Sequence, residues 1–312
     1  MTLSRAEVMR LVRQHSLVPS RALGQNFVVD PNTVRRVART AEVGPGDRVV
    51  EVGAGLGSLT LALAETGAEV LALEKDRRLV PVLQQVLSER LAPAPRAEPP
   101  GPPAPSAPPS AARSAAPPTG RARVVQADAM ALDWATFLAP PPGWVLVSNL
   151  PYNIATPLVA NLLDRVPAIE RLVVVVQEEV ARRLVARPGD PAYGAVSVKV
   201  AYWAEARWCG PVPRSVFLPR PRVGSALVSL RRRPQPAVDP AVAPPELLFE
   251  VVRAGYATRR KMLRRALEGT VPPAAFEVAG VDPRWRAEQL SIDDWGRLAG
   301  ALARSGRRRA AR

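Results

Sequence analysis

The sequence feature that most constrains this chain is a glycine-rich turn within residues 48–76. An apolar, β-branched run leads into the turn, and an apolar helical run and a second strand follow it. The second strand ends on Glu74. The glycines occupy alternate positions, at Gly53, Gly55 and Gly57. Because a Cβ in such a turn would hold a ligand away from the backbone, this order of elements predicts the first half of a nucleotide-binding α/β unit.

The spacing of the glycines favours one kind of nucleotide. Dinucleotide-binding folds use G-x-G-x-x-G, whereas this turn reads E-x-G-x-G-x-G from Glu51. No Lys or Arg lies between Val49 and Glu74 to meet a pyrophosphate. The turn therefore resembles the S-adenosylmethionine (SAM) site of class I methyltransferases, with Glu74 placed to accept hydrogen bonds from ribose hydroxyls. The structural alternative is a glycine turn that only packs a helix against a strand.

The charge of the chain indicates a polyanionic partner. The 312 residues carry a formal net charge of +15, from 43 Lys+Arg and 28 Asp+Glu, and phosphate neutralisation with counterion release favours nucleic acid for such a chain. A single cysteine (Cys209) and a single histidine (His15) argue against an internal disulfide and against a metal site built on these residues. We therefore expect no metal. Because neither a membrane-spanning stretch nor a signal peptide is visible, we also expect a cytoplasmic protein.

Strands and helices alternate along most of the chain. Beyond the glycine unit, the pattern predicts strands at 122–128, from 144 into a turn at 149–152, and at 172–176, 195–204, 205–209 and 224–230. It predicts helices at 4–16, 31–41, 77–91, after the 149–152 turn, and at 245–256, 258–268 and 293–304. This alternation favours an α/β fold, and the resemblance of the glycine turn implies that the fold is of the class I SAM-dependent methyltransferase type. We expect a Rossmann-like, mostly parallel sheet, a closing antiparallel pair and a small C-terminal all-α domain.

Composition divides the chain into two predicted domains. We expect residues 1–232 to form the SAM-dependent methyltransferase domain that the glycine turn resembles, and residues 233–312, which open with a proline-rich junction, to form a C-terminal helical RNA-binding domain. Residues 92–120 interrupt the first domain with a Pro/Ala-rich stretch that holds 11 of the 35 prolines and no aromatic residue. Such a composition cannot bury apolar surface, so we expect a disordered insertion.

Polar groups at the predicted strand ends indicate the chemistry. Asp128 ends the third strand and can accept from the exocyclic amine of the adenine in SAM. Methylating an exocyclic amine of a base requires a nitrogen lone pair that is delocalised into the ring. Asn149 Oδ1 and the Leu150 carbonyl can accept the two N–H hydrogens and hold that nitrogen towards a tetrahedral geometry. Pro151 would stiffen the turn, and Tyr152 would stack on the base. An ordinary Asn-Pro-type turn after a strand is the alternative.

Seven motifs occur in order and together resemble the ribosomal RNA adenine dimethyltransferase family over nearly the whole chain. They are Leu23-Gly-Gln-Asn-Phe, Glu51-Val-Gly-Ala-Gly-Leu-Gly, Asn149-Leu-Pro-Tyr-Asn-Ile, Gln177-Glu-Glu-Val-Ala-Arg-Arg-Leu, Tyr193-Gly-Ala-Val-Ser-Val, Phe217-Leu-Pro-Arg-Pro-Arg-Val-Gly-Ser and Arg259-Arg-Lys-Met-Leu-Arg. Two departures are visible: Val28 stands where the family usually has Leu, and the proline-rich stretch is an insertion.

The resemblance implies an activity and its residues. SAM contacts would come from Asn26, Val28, Gly53, Glu74, Asp128 and Asn149. The catalytic group would be Asn149, Leu150, Pro151, Tyr152 and Phe217, with base stacking by Tyr152 and Phe217. The reaction would be N6,N6-dimethylation of two adjacent adenines near the 3′ end of 16S rRNA in the small ribosomal subunit, with a role in subunit biogenesis. We expect a monomer, and no general base is required because the donor is a sulfonium.

Basic residues near the C-terminus predict an RNA-binding face. In the predicted helix 258–268 they fall at helical spacing, and they are Arg259, Arg260, Lys261, Arg264 and Arg265. We expect these cations to meet RNA phosphates. A solvated helix face is the alternative.

Three other functions compete with this interpretation. The first is the related large-subunit rRNA adenine N6-methyltransferase that confers macrolide resistance, which shares the SAM and Asn149-Leu-Pro-Tyr features. The second is a ribosome-assembly factor whose methylation is incidental, although an intact SAM site argues against binding alone. The third, a dehydrogenase, is opposed by the glycine spacing and by the lack of a proton-transfer histidine.

Overall fold

The computed structural model describes residues 2–20, 23–91, 121–138 and 142–310, and the predicted insertion at 92–120 lies outside this set. The strands are β1 (Phe27–Val28), β2 (Arg48–Val52), β3 (Glu69–Glu74), β4 (Ala122–Gln126), β5 (Trp144–Asn149), β6 (Ile169–Gln177), β7 (Ala204–Val212), β8 (Phe217–Leu218) and β9 (Ser225–Arg232). The helices are α1 (Arg5–Gln14), α2 (Pro31–Ala41), α3 (Ser58–Ala64), α4 (Leu79–Arg90), α5 (Trp134–Phe137), α6 (Ala155–Arg165), α7 (Glu178–Val185), α8 (Ala195–Trp203), α9 (Pro245–Ala257), α10 (Leu263–Ala266), α11 (Pro273–Ala279) and α12 (Ile292–Ala310).

In the described part of the chain, seven strands form one sheet in the order β4-β3-β2-β5-β6-β9-β7. β2 pairs in parallel with β3 and β5, and β3 pairs in parallel with β4. β9 pairs antiparallel with both β6 and β7. The short β1 and β8 form a separate antiparallel pair. β2 and β6 are rich in β-branched residues, as expected of strands that are covered on both faces. The predicted mostly parallel sheet with an antiparallel closure is confirmed.

The chain divides into two compact units. The first consists of Met1–Leu132, Trp144–Asn149 and Ser215–Arg220, and the second of Asp133–Gly143, Leu150–Arg214 and Pro221–Arg312. These units are defined by contacts within the chain. The predicted boundary between residues 232 and 233 concerns domains that are consecutive in sequence and remains a prediction. Among the described residues after 232, all regular structure is helical, as expected for the C-terminal part.

The segment predicted as a strand at 195–204 is instead helix α8. Its alternating β-branched residues favour a strand. In the fold, the Gly194 amide donates to Ser197 Oγ at 3.0 Å, which closes the first turn of a helix. Val198 and Tyr202, four residues apart, are then both buried in the core of the second unit. Burial of this helical face outweighs the intrinsic preference for a strand.

The predicted helix at 258–268 is also wrong, because only the four-residue α10 forms within it. The Lys261 amide donates to the Thr258 carbonyl at 2.8 Å and closes a turn. The Leu263 amide donates to the Trp285 carbonyl at 2.7 Å instead of to a residue one helical turn earlier. A continuous helix needs that local bond, so the basic residues of this segment do not share one helical face.

The sequence pattern did not predict α5, α7 or α11. In α7, Glu178 and Glu179 occupy the first turn and pair with Arg182 and Arg183 one turn later. These (i, i+4) pairs and the acidic first turn are local helix signals that the sequence offered.

Candidate active site

The glycine turn closes over the end of β3. The amides of Gly53 and Ala54 both donate to the Leu73 carbonyl, at 2.8 and 3.1 Å. Gly55 has φ +59°, and a Cβ added to it would lie 3.0 Å from a ring carbon of Phe27. A side chain at Gly55 is therefore disfavoured by the backbone conformation and by the Phe27 ring.

Glu74 ties this turn to the residues that follow β3. Its Oε2 accepts from the Gly55 amide and its Oε1 from the Asp76 amide, each at 2.8 Å. The side chain is 5% exposed, and burial raises the pKa of its carboxyl. Each carboxylate oxygen keeps a second acceptor position, so Glu74 can still accept from a ribose. The structure places Glu74 beside the glycine turn, as the sequence predicted.

Asp128 follows the end of β4 at the same edge of the sheet. The Ala127 amide donates to the Glu74 backbone carbonyl at 3.1 Å, which joins the ends of the two strands. Lys75 Nζ lies 2.7 Å from Asp128 Oδ2, and this hydrogen bond lowers the pKa of the carboxyl. Asp128 is therefore an ionised acceptor, and an incoming amine would share it with Lys75. No sequence motif pointed to Lys75 as a site residue.

In the Asn149 side-chain amide, the nitrogen has a hydrogen-bond partner among the described residues and the oxygen has none. Its Nδ2 donates to the Asn26 backbone carbonyl at 2.9 Å. Because a carbonyl only accepts, this contact fixes which end of the amide is the NH₂ group. Asn149 Oδ1 is buried and has no hydrogen-bond partner among the residues that the structure describes. A buried acceptor without a partner is costly, so it marks a place where a donor is expected.

The segment around Asn26 is held at the carboxyl ends of the strands by Gln25. The Gln25 side chain accepts from the Ser20 amide at 2.7 Å and donates to Asp76 Oδ2 at 3.0 Å. Asp76 is also bonded by Arg78, which is the main cause that lowers the pKa of Asp76 to about 2. Sequence reasoning missed Gln25 and Asp76 as site residues. The available signals were the family motif that contains Gln25 and the second acid, two residues after Glu74.

Val28 and Phe217 face one another in the β1–β8 pair. The Val29 amide adds a bond to the Val216 carbonyl at 2.8 Å, so this pair anchors the Asn26 segment. Phe217 is 1% exposed. The ring is therefore buried in this conformation, and the stacking role assigned to Phe217 stays a prediction.

The turn that follows Asn149 belongs to the second unit. The Leu150 amide donates to the Val175 carbonyl at 3.1 Å, and the Ile154 amide donates to the Pro151 carbonyl at 3.1 Å. The hydroxyls of Tyr152 and the buried Ser225 are hydrogen-bonded at 2.7 Å. Burial raises the pKa of the Tyr152 hydroxyl. Ser225 is the last residue of the motif that begins at Phe217, but the sequence pattern indicated no role for its hydroxyl.

The predicted RNA-binding cations lie on the 258–260 turn, the residues after it and the start of α10. Arg259 pairs with Glu288 at 3.0 Å, and Arg265 pairs with Glu268 at 3.5 Å. All five reach solvent. The structure therefore groups the five cations in one segment without placing them on one helix.

Two classes of site are not found in the described part of the chain. No group of three or more His, Cys, Asp and Glu side chains there is arranged to hold a metal ion. No helix within the described ranges is long and apolar enough to cross a membrane.

Comparison with known proteins gives consistent matches. A family model described as ribosomal RNA adenine dimethylase matches residues 19–94 and 110–304. A ribosomal RNA small subunit methyltransferase A from Thermobifida fusca is 47% identical over 302 residues, covering 95% of each chain. One of the same name from Kineococcus radiotolerans is 46% identical over 302 residues, covering 95% of this chain and 90% of the relative.

Two solved structures extend the comparison. The 23S rRNA methyltransferase ErmE is 28% identical with a TM-score of 0.63, over 89% of this chain and 99% of that one. A dimethyladenosine transferase from Plasmodium falciparum is 20% identical with a TM-score of 0.68, over 89% of this chain and 97% of that one. The second likeness concerns the fold alone.

Proposed function

The chain belongs to the ribosomal RNA adenine dimethylase family, and we propose that it uses SAM to dimethylate the N6 amines of two adjacent adenosines near the 3′ end of 16S rRNA. Its fold is the class I methyltransferase fold, a mostly parallel sheet followed by a helical C-terminal part. The names of the Thermobifida and Kineococcus relatives support the small subunit as the substrate. The lower identity to a 23S rRNA methyltransferase disfavours the large-subunit alternative.

The proposal depends most on the hydrogen bonding of the Asn149 side-chain amide. Its donor half is occupied by the Asn26 carbonyl at 2.9 Å, and its Oδ1 is buried with no partner in the described residues. A single acceptor held in a fixed direction suits an exocyclic N–H donor. An asparagine that only capped a turn would use its oxygen within the turn.

The residues at the strand ends fit SAM. Glu74 offers acceptors for ribose hydroxyls, and Asp128 offers an ionised acceptor for an adenine amine. The backbone at Gly53, with φ +72°, and the Asn26–Val28 segment would complete the contacts, together with Asn149. When bound, SAM supplies an electrophilic methyl group carried on a sulfonium.

The chain's own residues prepare the adenine amine for transfer. Asn149 Oδ1 and the Leu150 carbonyl accept its two N–H hydrogens and draw the nitrogen lone pair out of conjugation with the ring. Pro151 limits the turn to one conformation because its ring fixes φ. Tyr152 and Phe217 supply stacking faces for a base taken out of its helix. The amine proton then leaves to water, so no side-chain base is required.

The same proposal covers partners and location. Arg259, Arg260, Lys261, Arg264 and Arg265 meet phosphates of the small subunit's rRNA. We propose a monomer that acts in the cytoplasm during small-subunit biogenesis.

The test is methyl transfer from tritiated SAM to unmethylated small subunits, followed by nucleoside analysis. We expect N6,N6-dimethyladenosine from wild type, and a turnover lower by about 10²–10³-fold for Asn149→Ala, as for other positioned polar groups. Subunit binding should survive, because it depends on the basic surface. Asn161→Ala, on α6, is the matched control and should keep wild-type turnover. Normal dimethylation by Asn149→Ala, or methylation of large subunits instead, would overturn the assignment.

Variants of Tyr152 test the stacking role separately. Tyr152→Ala should slow methylation strongly, whereas Tyr152→Phe keeps the ring and should stay within about tenfold of wild type. Loss of the bond to Ser225 should cost Tyr152→Phe about 1 kcal/mol of stability in urea unfolding. If both variants are equally inactive while folded, the hydroxyl and not the ring is the working group.

A further inference from the structure

Two segments of the C-terminal helical part lie side by side and expose apolar side chains. The Leu263 amide donates to the Trp285 carbonyl at 2.7 Å, and the Arg264 amide donates to the Pro283 carbonyl at 2.9 Å. This pairing places Met262, directly before Leu263, next to the segment that carries Trp285. Trp285 is 38% exposed and Met262 is 42% exposed. We refer to this pair of segments, 258–268 and 282–288, as the Trp285 surface.

The Trp285 surface is rich in cations that lack a carboxylate partner. Its three carboxylates each have a cation: Glu268 pairs with Arg265 at 3.5 Å, Asp282 with Arg284 at 3.0 Å, and Glu288 with Arg259 at 3.0 Å. The cations that remain, with no ion pair to a described residue, are Arg260, Lys261, Arg264 and Arg286. The surface therefore keeps a net positive charge around two exposed apolar side chains.

We propose that the Trp285 surface binds an unpaired RNA nucleotide, with the base stacked on Trp285 against Met262 and the flanking phosphates held by the four cations. This rests on the proposed function, which makes RNA the partner, and it adds a second contact for an unpaired base. An aromatic face stacks on any base, and unpaired cations beside it suit a phosphate backbone. A protein partner is less suited, because the centre of a protein interface is depleted of charge.

The test measures affinity for a single-stranded RNA of about 12 nucleotides that lacks adenosine, beside a duplex of the same length. Leaving out adenosine removes the target base of the active site. Trp285→Ala should bind the single strand about 5- to 100-fold more weakly and the duplex nearly as well as wild type. Trp285→Phe should keep most of the affinity because it keeps a stacking face.

Charge and control variants separate stacking from electrostatics. Arg260→Gln with Arg286→Gln should reduce the slope of log affinity against log salt, whereas Trp285→Ala should leave that slope unchanged. Val278→Ala truncates an exposed apolar residue on α11, and its affinity for the single strand and the salt dependence of that affinity should equal those of wild type.

Four results would overturn the inference. They are unchanged single-strand affinity in Trp285→Ala, an equal loss on duplex, a failure of Trp285→Phe to restore binding, and a loss of binding to RNA-free ribosomal proteins instead. Methylation of small subunits by the wild-type protein is measured in parallel. If the wild-type protein methylates them while one of these four results is found, the inference fails and the proposed function stands.

Discussion

Burial governs the chemistry of the two glutamates that flank the glycine turn. Glu51 is 2% exposed and accepts a hydrogen bond from Thr60 Oγ1 at 2.6 Å. Burial raises the pKa of Glu51 to about 8. Glu74 is also buried, but backbone amides donate to both of its oxygens and oppose the rise in its pKa. With a pKa of about 8, Glu51 is a residue at this turn whose proton should affect stability near neutral pH.

The prediction for Glu51 concerns stability against pH. Because its pKa is higher in the folded protein than the ordinary value of 4.5, the stability from its bound proton is complete below about pH 4.5. That contribution is lost as the pH rises through about 8. Glu51→Gln keeps an acceptor for Thr60 and should remove the loss, on the order of 1.4 kcal/mol for each pH unit between the two pKa values.

Urea unfolding between pH 5.5 and 8.5 measures this effect, with the exposed Glu69→Gln as control. The Glu51→Gln variant should gain stability relative to wild type as the pH rises. Parallel profiles for the variant and wild type would show that Glu51 is not the group that holds the proton.

At the scale of elements, the glycine turn also fixes how closely α3 approaches α4. Gly57 is the N-cap of α3, with φ +87°. A Cβ added there would lie 2.8 Å from Leu83 Cδ1 on α4. Gly46 has nearly the same φ, +88°, and nothing lies within 4 Å of its added Cβ. The two glycines therefore share a backbone requirement and differ in packing.

This difference gives a matched pair of variants. Gly46→Ala should cost about 1–2 kcal/mol of stability, from the left-handed backbone alone. Gly57→Ala should cost a further 1–3 kcal/mol or so, because the buried Leu83 side chain must shift to accommodate the methyl group. Equal losses of unfolding free energy for the two variants in urea would show that the contact with Leu83 carries no cost.

At the scale of the whole molecule, the net charge concerns the substrate, whereas the proline-rich stretch at 92–120 concerns what the fold can lose. The net charge of +15 suits an rRNA substrate. Within the proline-rich stretch, the family model leaves residues 95–109 unmatched. The methyltransferase features described above all lie outside that stretch. Its composition and the gap in the family match together indicate that the stretch is dispensable.

Deleting residues 95–109 should therefore leave melting temperature and turnover on small subunits close to wild type. The reason is compositional: a stretch of Pro, Ala and polar residues buries little apolar surface. Thermal unfolding and the tritiated SAM assay measure the two quantities. A large fall in either would show that the stretch packs or binds RNA.

The sequence by itself determined the elements whose signals are local. The apolar, β-branched run that leads into the glycine turn forms β2 (Arg48–Val52), as predicted. Glu74 and Asn149 end their strands, and the carboxyl ends of parallel strands meet at one edge. Residue type and spacing along the chain were therefore enough to predict the parallel part of the sheet and the place of these two residues at the ends of its strands.

Tertiary structure alone decided the details that depend on distant partners. Residues 195–203 became a helix because burial of Val198 and Tyr202 outweighed a local preference for a strand. The basic segment stopped being a helix where Leu263 bonded to Trp285. The direction of the Asn149 amide was set by the Asn26 carbonyl, 123 residues away in sequence. No local pattern encodes such a contact, because it exists only once the N-terminal segment has folded back onto the end of β5.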